Sequence, residues 1–209
     1  MPSSLLTETS EIFLDSAISN KILSNAKDVQ LETIFAVPLF SDRGEIDLVH
    51  LNECLESLAA QTDDRFAVVL INDNGPCFDP LSDKYIPGHK RALNQMIAKF
   101  ESQMNIVGVT PDRNVGLGHA RNIAILAAEV VGSKTVSLLD HDDRADPRRV
   151  EVIAREFQDP TVGVIYSNCR VIGQESEAVE PKDIDPDIQL FIDLLTEFGP
   201  TGFDMWKPI

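Results

Sequence analysis

Apolar positions along the chain follow two periods in turn. Residues 34–39 form a nearly unbroken apolar run, the pattern of a strand covered on both faces. Leu48, Leu51, Leu55 and Leu58 then recur at helical spacing and predict an amphipathic helix over about residues 45–60. Residues 66–71 form a second buried strand, continuous rather than alternating. Leu93, Met96, Ile97, Phe100 and Met104 make a further helical stripe, followed by a strand at 106–109. A helix over 118–131 turns Ile123, Ala124 and Ala127 inward, and the apolar run 135–139 is a strand that stops at Asp140. Asp146 as N-cap and Pro147 at the first helical position open the next helix, with Val150, Ile153, Ala154 and Phe157 on its buried face. Residues 162–167 close the series as a strand. Strand and helix in strict turn predict an α/β fold: an open, mostly parallel sheet with helices on both faces.

Two segments fall outside this rhythm. Residues 1–30 carry Leu5, Leu6, Ile12, Phe13, Ile18, Ile22 and Leu23 and predict one or two helices packed on the domain or on a protein partner. Residues 174–187 are acidic, contain Pro181 and Pro186, and predict a loop. A last amphipathic helix through Ile188, Phe191, Leu195 and Phe198 ends at Gly199-Pro200.

Composition narrows the function classes. A chain of 209 residues with 43% hydrophobic residues has a real core and fits one large domain. No apolar run approaches the roughly 18 residues of a membrane span. The N-terminus has no basic, signal-like start, so a cytoplasmic location is expected. The formal net charge of −16 disfavours nucleic acid and anionic lipid as nonspecific partners. Any polyanionic ligand must then be held by a bound cation or by locally placed arginines. Cys54, Cys77 and Cys169 have no metal-like spacing and read as reduced thiols.

Ligands of open parallel sheets bind beyond the carboxyl ends of the strands. Four features fall there: Val37-Pro38; Asn72-Asp73-Asn74-Gly75; the loop from Asp112 and Arg113 through Asn114, Gly116, Gly118 and His119 to Arg121 and Asn122; and Asp140-His141-Asp142-Asp143. Crowded carboxylates repel one another unless a cation sits between them, and oxygen ligands suit a hard ion such as Mg²⁺ or Mn²⁺. The alternative is a solvated acidic turn capping the next helix. The glycine loop is neither a dinucleotide fingerprint, because Arg121 stands at the third glycine position, nor a P-loop. It offers backbone freedom at a helix start with arginines nearby, suited to a phosphate. Alternatively, Arg121 pairs with an acidic neighbour and holds the loop. His119 and His141 are more naturally hydrogen-bonding or solvent-facing residues than bases.

These residues in this order resemble the family 2 glycosyltransferases. The resemblance runs through Val37-Pro38, Ser57-Leu58 with Gln61, Asn72-Asp73-Asn74, Asn114-x-Gly116-x-x-x-Ala120-Arg121-Asn122, Asp140-x-Asp142-Asp143 with Pro147, and Val164 to Ser167. It covers about residues 33–172 and implies a GT-A-type, Rossmann-like fold that transfers sugar from a nucleotide-diphosphate sugar, a UDP-sugar first among candidates. It further implies Val37 and Pro38 as a wall beside the base and Asp73 as the carboxylate that bonds it, with Asn114, Gly116 and Arg121 on the donor side. Asp140 would face the ribose, and Asp142 and Asp143 would hold Mn²⁺ or Mg²⁺. The expected organisation is an N-terminal extension over 1–30, a nucleotide-sugar-binding domain over 31–173, and an incomplete acceptor region over 174–209, as in a chain cut short at its C-terminus. Neither acceptor nor catalytic base is assignable. A catalytically silent nucleotide-sugar-binding module is the competing reading, and a nucleotidyltransferase is disfavoured because Ser41-Asp42-Arg43-Gly44 makes a poor phosphate loop.

Overall fold

The computed structural model describes residues 30–40, 47–73, 89–111, 114–167 and 206–208. The expected helices before Gln30, the loop 174–187, the helix through Phe198, Arg113, Cys77 and Cys169 lie outside these residues. The chain divides into two compact units, Met1–Glu151 and Val152–Ile209.

In the first unit the order is β1 (Thr33–Leu39), α1 (Leu48–Ala59), β2 (Phe66–Asn72), α2 (His89–Phe100), β3 (Asn105–Val109), α3 (Gly116–Val131) and β4 (Thr135–Leu138). Helix α4 (Arg149–Glu156) begins in it. The four strands make one sheet in the order β3-β2-β1-β4, every pair parallel. Side chains alternate across it as the pleat requires. Phe35, Val37, Leu39, Phe66, Val68, Leu70 and Ile106 pack with α1 and α2 residues in one core cluster. Ile34, Ala36, Ala67, Val69, Ile71, Val107 and Val109 pack with α3 in the other. Covering both faces is why these strands read as continuous apolar runs. Gly108 sits where a Cβ would come within 2.6 Å of the Ile97 side chain, so its lack of one lets α2 lie close on β3.

Helix ends explain the boundary shifts. Asp47 accepts from the backbone N–H groups of Val49 and His50 at 2.9 and 3.1 Å, so α1 starts at Leu48 rather than near residue 45. Asp146 caps a turn instead of the helix itself, its carboxylate taking Arg148 N–H at 2.9 Å, and α4 starts at Arg149.

In the second unit β5 (Val164–Tyr166) pairs in parallel with β6 (Trp206–Pro208). The strand expected to close the main series therefore belongs to a separate two-stranded sheet. Its partner was not anticipated, because a three-residue strand containing a proline has no period to read. No helix among the described residues is long and apolar enough to cross a membrane.

Candidate functional site

The first unit's sheet reverses direction at β1. From there the chain builds β2 and β3 to one side and β4 to the other, and the carboxyl ends of such neighbours are where open parallel sheets bind ligands. Pro38 lies at this point of β1. Leu39 O accepts from Asp73 N on the β2 side, while Ala36 O accepts from Leu139 N on the β4 side. Pro38, two residues after Ala36, addresses the β4 side, where β4 has ended at Leu138. Its missing N–H therefore costs no ladder bond in a central strand. Val37 is fully buried within the core, so its side chain offers no surface to a ligand.

At the end of β2, Asp73 is only 2% exposed. Its carboxylate accepts from Val115 N at 2.7 Å, and its carbonyl accepts from Asn114 Nδ2 at 2.9 Å. Asp73 thus fixes the approach to α3. That helix begins at Gly116 with φ of 79°, a left-handed conformation that favours glycine, and Val115 supplies no side-chain cap. Among the described residues, and apart from each glycine's chain neighbours and the helix's own local backbone, nothing lies within 4 Å of where a Cβ would sit at Gly116 or Gly118, so backbone is open at this helix start. Such a terminus carries partial positive charge.

Beyond β4 the chain makes a tight turn, closed by Asp143 N–H to Asp140 O at 3.0 Å. Asp140 also pairs with Arg121 of α3 at 3.2 Å, both side chains partly exposed. Arg121 therefore has the acidic neighbour foreseen in the alternative reading, and the pair joins the α3 start to the carboxylate turn. Burial, and then the charges of Asp142 and Asp140, raise the pKa of Asp143 above the usual carboxylate value. Arg149 and His141 oppose that rise. Arg149 donates to Leu138 O at 3.0 Å, and its guanidinium lies 5.8 Å from the Phe35 ring centroid. Burial lowers its pKa, and Asp143 counters this. The local sequence marks Arg149 in one way only: a cation in the first turn of a helix faces an unfavourable dipole and needs another partner.

Among the described residues, no three His, Cys, Asp or Glu side chains form a ready metal cage. The carboxylates of the turn are still the right donor set for a hard cation that keeps water and takes further oxygens from phosphate. His119 is exposed, and His141 on the turn is partly buried.

The four-stranded parallel sheet, with helices on both faces and polar groups gathered beyond its carboxyl edge, defines an α/β domain. Residues 88–206 match Glycosyl transferase family 2, and the chain belongs to that family. The uncharacterized glycosyltransferase MJ1057 of Methanocaldococcus jannaschii is 29% identical over 103 residues, which cover 49% of this chain and 30% of that protein. EpsH of Bacillus subtilis (strain 168), named as a glycosyltransferase, is 28% identical over 117 residues, covering 56% of this chain and 29% of EpsH. In fold, the chain is similar to S. aureus TarS 1-349, crystallised in complex with UDP. The TM-score is 0.51 at 22% identity, covering 69% of this chain and 37% of that one. The matches span about a third of the length of these relatives.

Proposed function

We propose that this chain binds a nucleotide-diphosphate sugar together with Mn²⁺ or Mg²⁺ and serves as the donor side of a sugar transfer. One observation carries the reading: the carboxylate turn after β4 meets the open start of α3 at the switch point, joined through Arg121 and Asp140. Asp142 and Asp143 would hold the cation, and Asp140 would face the ribose. Asp73 and Asn114 would keep the base side of the crevice in shape through their bonds to the α3 approach. Gly116 leaves room for a phosphate beside the helix start, where partial positive charge favours an anion. Arg121 supplies a further positive group on the donor side. Val37 and Pro38 would contribute the backbone end of β1, since Val37 is enclosed in the core.

A divalent ion bound here would neutralise charge on the departing nucleoside diphosphate. The protein's part is to orient the donor's diphosphate against the turn and to keep the glycosidic carbon exposed toward an acceptor. UDP is the first nucleotide to test, supported by the UDP bound to the structurally similar TarS. The acceptor is unassigned, and no described residue is proposed as the base.

The test is substitution of the turn. Asp142→Asn and Asp143→Asn should each abolish Mn²⁺-dependent binding of UDP, followed by calorimetry. Their melting temperatures should equal or exceed that of the parent, because removing one of several repelling carboxylates relieves the ligand-free fold. Unfolding of both variants, or undiminished metal-dependent binding, would make the turn a structural cap instead.

A further inference from the structure

The carboxylate turn is held from one side by a single stripe of α1. Glu53 pairs with Arg144 at 2.8 Å. The Cys54 thiol donates to Asp140 O at 3.7 Å. Ser57 Oγ accepts from Ala145 N at 2.9 Å while donating to Cys54 O at 2.6 Å. Gln61, just beyond the helix, donates through Nε2 to Asp146 O at 2.8 Å and to Ser57 O at 3.2 Å. Its Oε1 accepts from Val150 N at 3.1 Å. Cys54, Ser57 and Gln61 are spaced three and four residues apart, and Glu53 adjoins Cys54, so they lie on one side of α1 and its end.

We propose that Ser57 and Gln61 are positioning residues that fix the carboxylate turn, and through it the affinity for a cation with nucleoside diphosphate. The inference deepens the donor-site reading and rests on it for its binding consequence. Three physical points support it. First, the turn sets Asp140, Asp142 and Asp143 within four residues of one another, and like charges so close repel, so it needs an external hold. Second, Gln61 reaches both sides of the α4 entry, with Asp146 before it and Val150 within it. A side-chain amide can donate to one and accept from the other, whereas an ionised glutamate only accepts and a lysine only donates. Third, Gln61 is uncharged, so its hold does not weaken when a cation arrives. Ser57 extends the hold upstream to Ala145, two residues past Asp143. The backbone that presents the carboxylates is thereby tied to α1, which is itself anchored in the core by Leu51, Cys54, Leu55 and Leu58.

The decisive comparison uses the full chain and two variants. Gln61→Met keeps length without any of the three hydrogen bonds, and Gln61→Glu keeps only the acceptor. Circular dichroism selects a temperature at which all three are folded. Amide hydrogen exchange is then read in residues 140–150 and in α3, and the Kd for UDP is measured with Mn²⁺. In Gln61→Met, exchange across 140–150 should quicken about tenfold with α3 unchanged, and the Kd should rise about tenfold, the scale of losing an outer support at a metal site. Gln61→Glu should behave like Gln61→Met, because the bond to Asp146 O is lost in both. Unchanged exchange in the turn would overturn the proposal. So would quickened exchange throughout the unit with the parent's Kd retained, the signature of a merely structural role. Failure of the parent chain to bind any nucleoside diphosphate with Mn²⁺ would refute the donor-site reading and the binding half of this proposal. The exchange comparison would still decide whether Gln61 orders the turn.

Discussion

Cys54 lies directly against the backbone of the carboxylate turn, and its chemistry reports the charge there. Burial first, and then the charges of Asp143, Asp142 and Asp140, push its thiol pKa up to about 12. In the unfolded chain a thiol ionises near pH 8.5. Below that pH both states hold the proton and the stabilising contribution is complete. Above it the unfolded state loses the proton while the folded state keeps it, so stability falls as pH rises, by at most about 1.4 kcal/mol per unit. Urea melts from about pH 9 to about pH 11 should show a shallower decline for Cys54→Ala than for the parent, as the linkage slope requires. Equal slopes would mean that the thiol ionises as freely in the folded protein as outside it. At this scale the sequence placed Asp73 at the end of β2 and the turn 140–143 just beyond β4, and its alternative reading gave Arg121 the acidic neighbour it has in Asp140. Ser57 and Gln61 were marked only by resemblance. Their partners lie 85 to 89 positions away along the chain, a separation no local pattern encodes.

Among the elements, the amino ends of β1, β2 and β4 are stapled by one acidic residue. Glu32 is 5% exposed, yet pairs with Arg65 at 2.7 Å and with Lys134 at 2.8 Å. Its carbonyl accepts from Thr135 Oγ1 at 2.8 Å, and its N–H donates to Arg65 O at 2.7 Å. Removing the carboxylate strands no fully buried cation, because the Arg65 and Lys134 side chains are 41% and 46% exposed. Glu32→Ala should therefore cost about 2 kcal/mol, less than the loss expected for a fully buried pair. Denaturant titration measures this, and a change below about 0.5 kcal/mol, the range of an ordinary surface substitution, would contradict it. Nucleotide binding should be unaffected, since the staple sits at the opposite end of the strands from the site.

β1 and β2 were legible because enclosure on both faces leaves a continuous apolar run. The helices were legible because each has one buried face. Helix starts were less so: Asp47 caps α1 at Leu48, whereas Asp146 caps the turn before α4, and α4 begins three residues later at Arg149. The pair β5 and β6 was half missed, for want of enough residues to show a period.

For the whole molecule, charge is the governing quantity. A chain of net charge −16 repels a nucleoside diphosphate at long range, so favourable local groups must reverse that field. In the proposed donor site the start of α3 and Arg121 would reverse part of it, and a divalent ion at the carboxylate turn would reverse the rest. Family membership agrees with a donor site of this kind, while the matched relatives extend well beyond what this chain covers. The central claim is therefore that nucleotide and metal bind together. Thermal unfolding of the parent chain tests it, with UDP, GDP or dTDP and with or without Mn²⁺. UDP with Mn²⁺ at a hundred times Kd should stabilise the fold by about 2.7 kcal/mol, raising the melting temperature by several degrees, while UDP alone gives little shift. No metal-dependent shift with any of the three nucleotides would contradict the account.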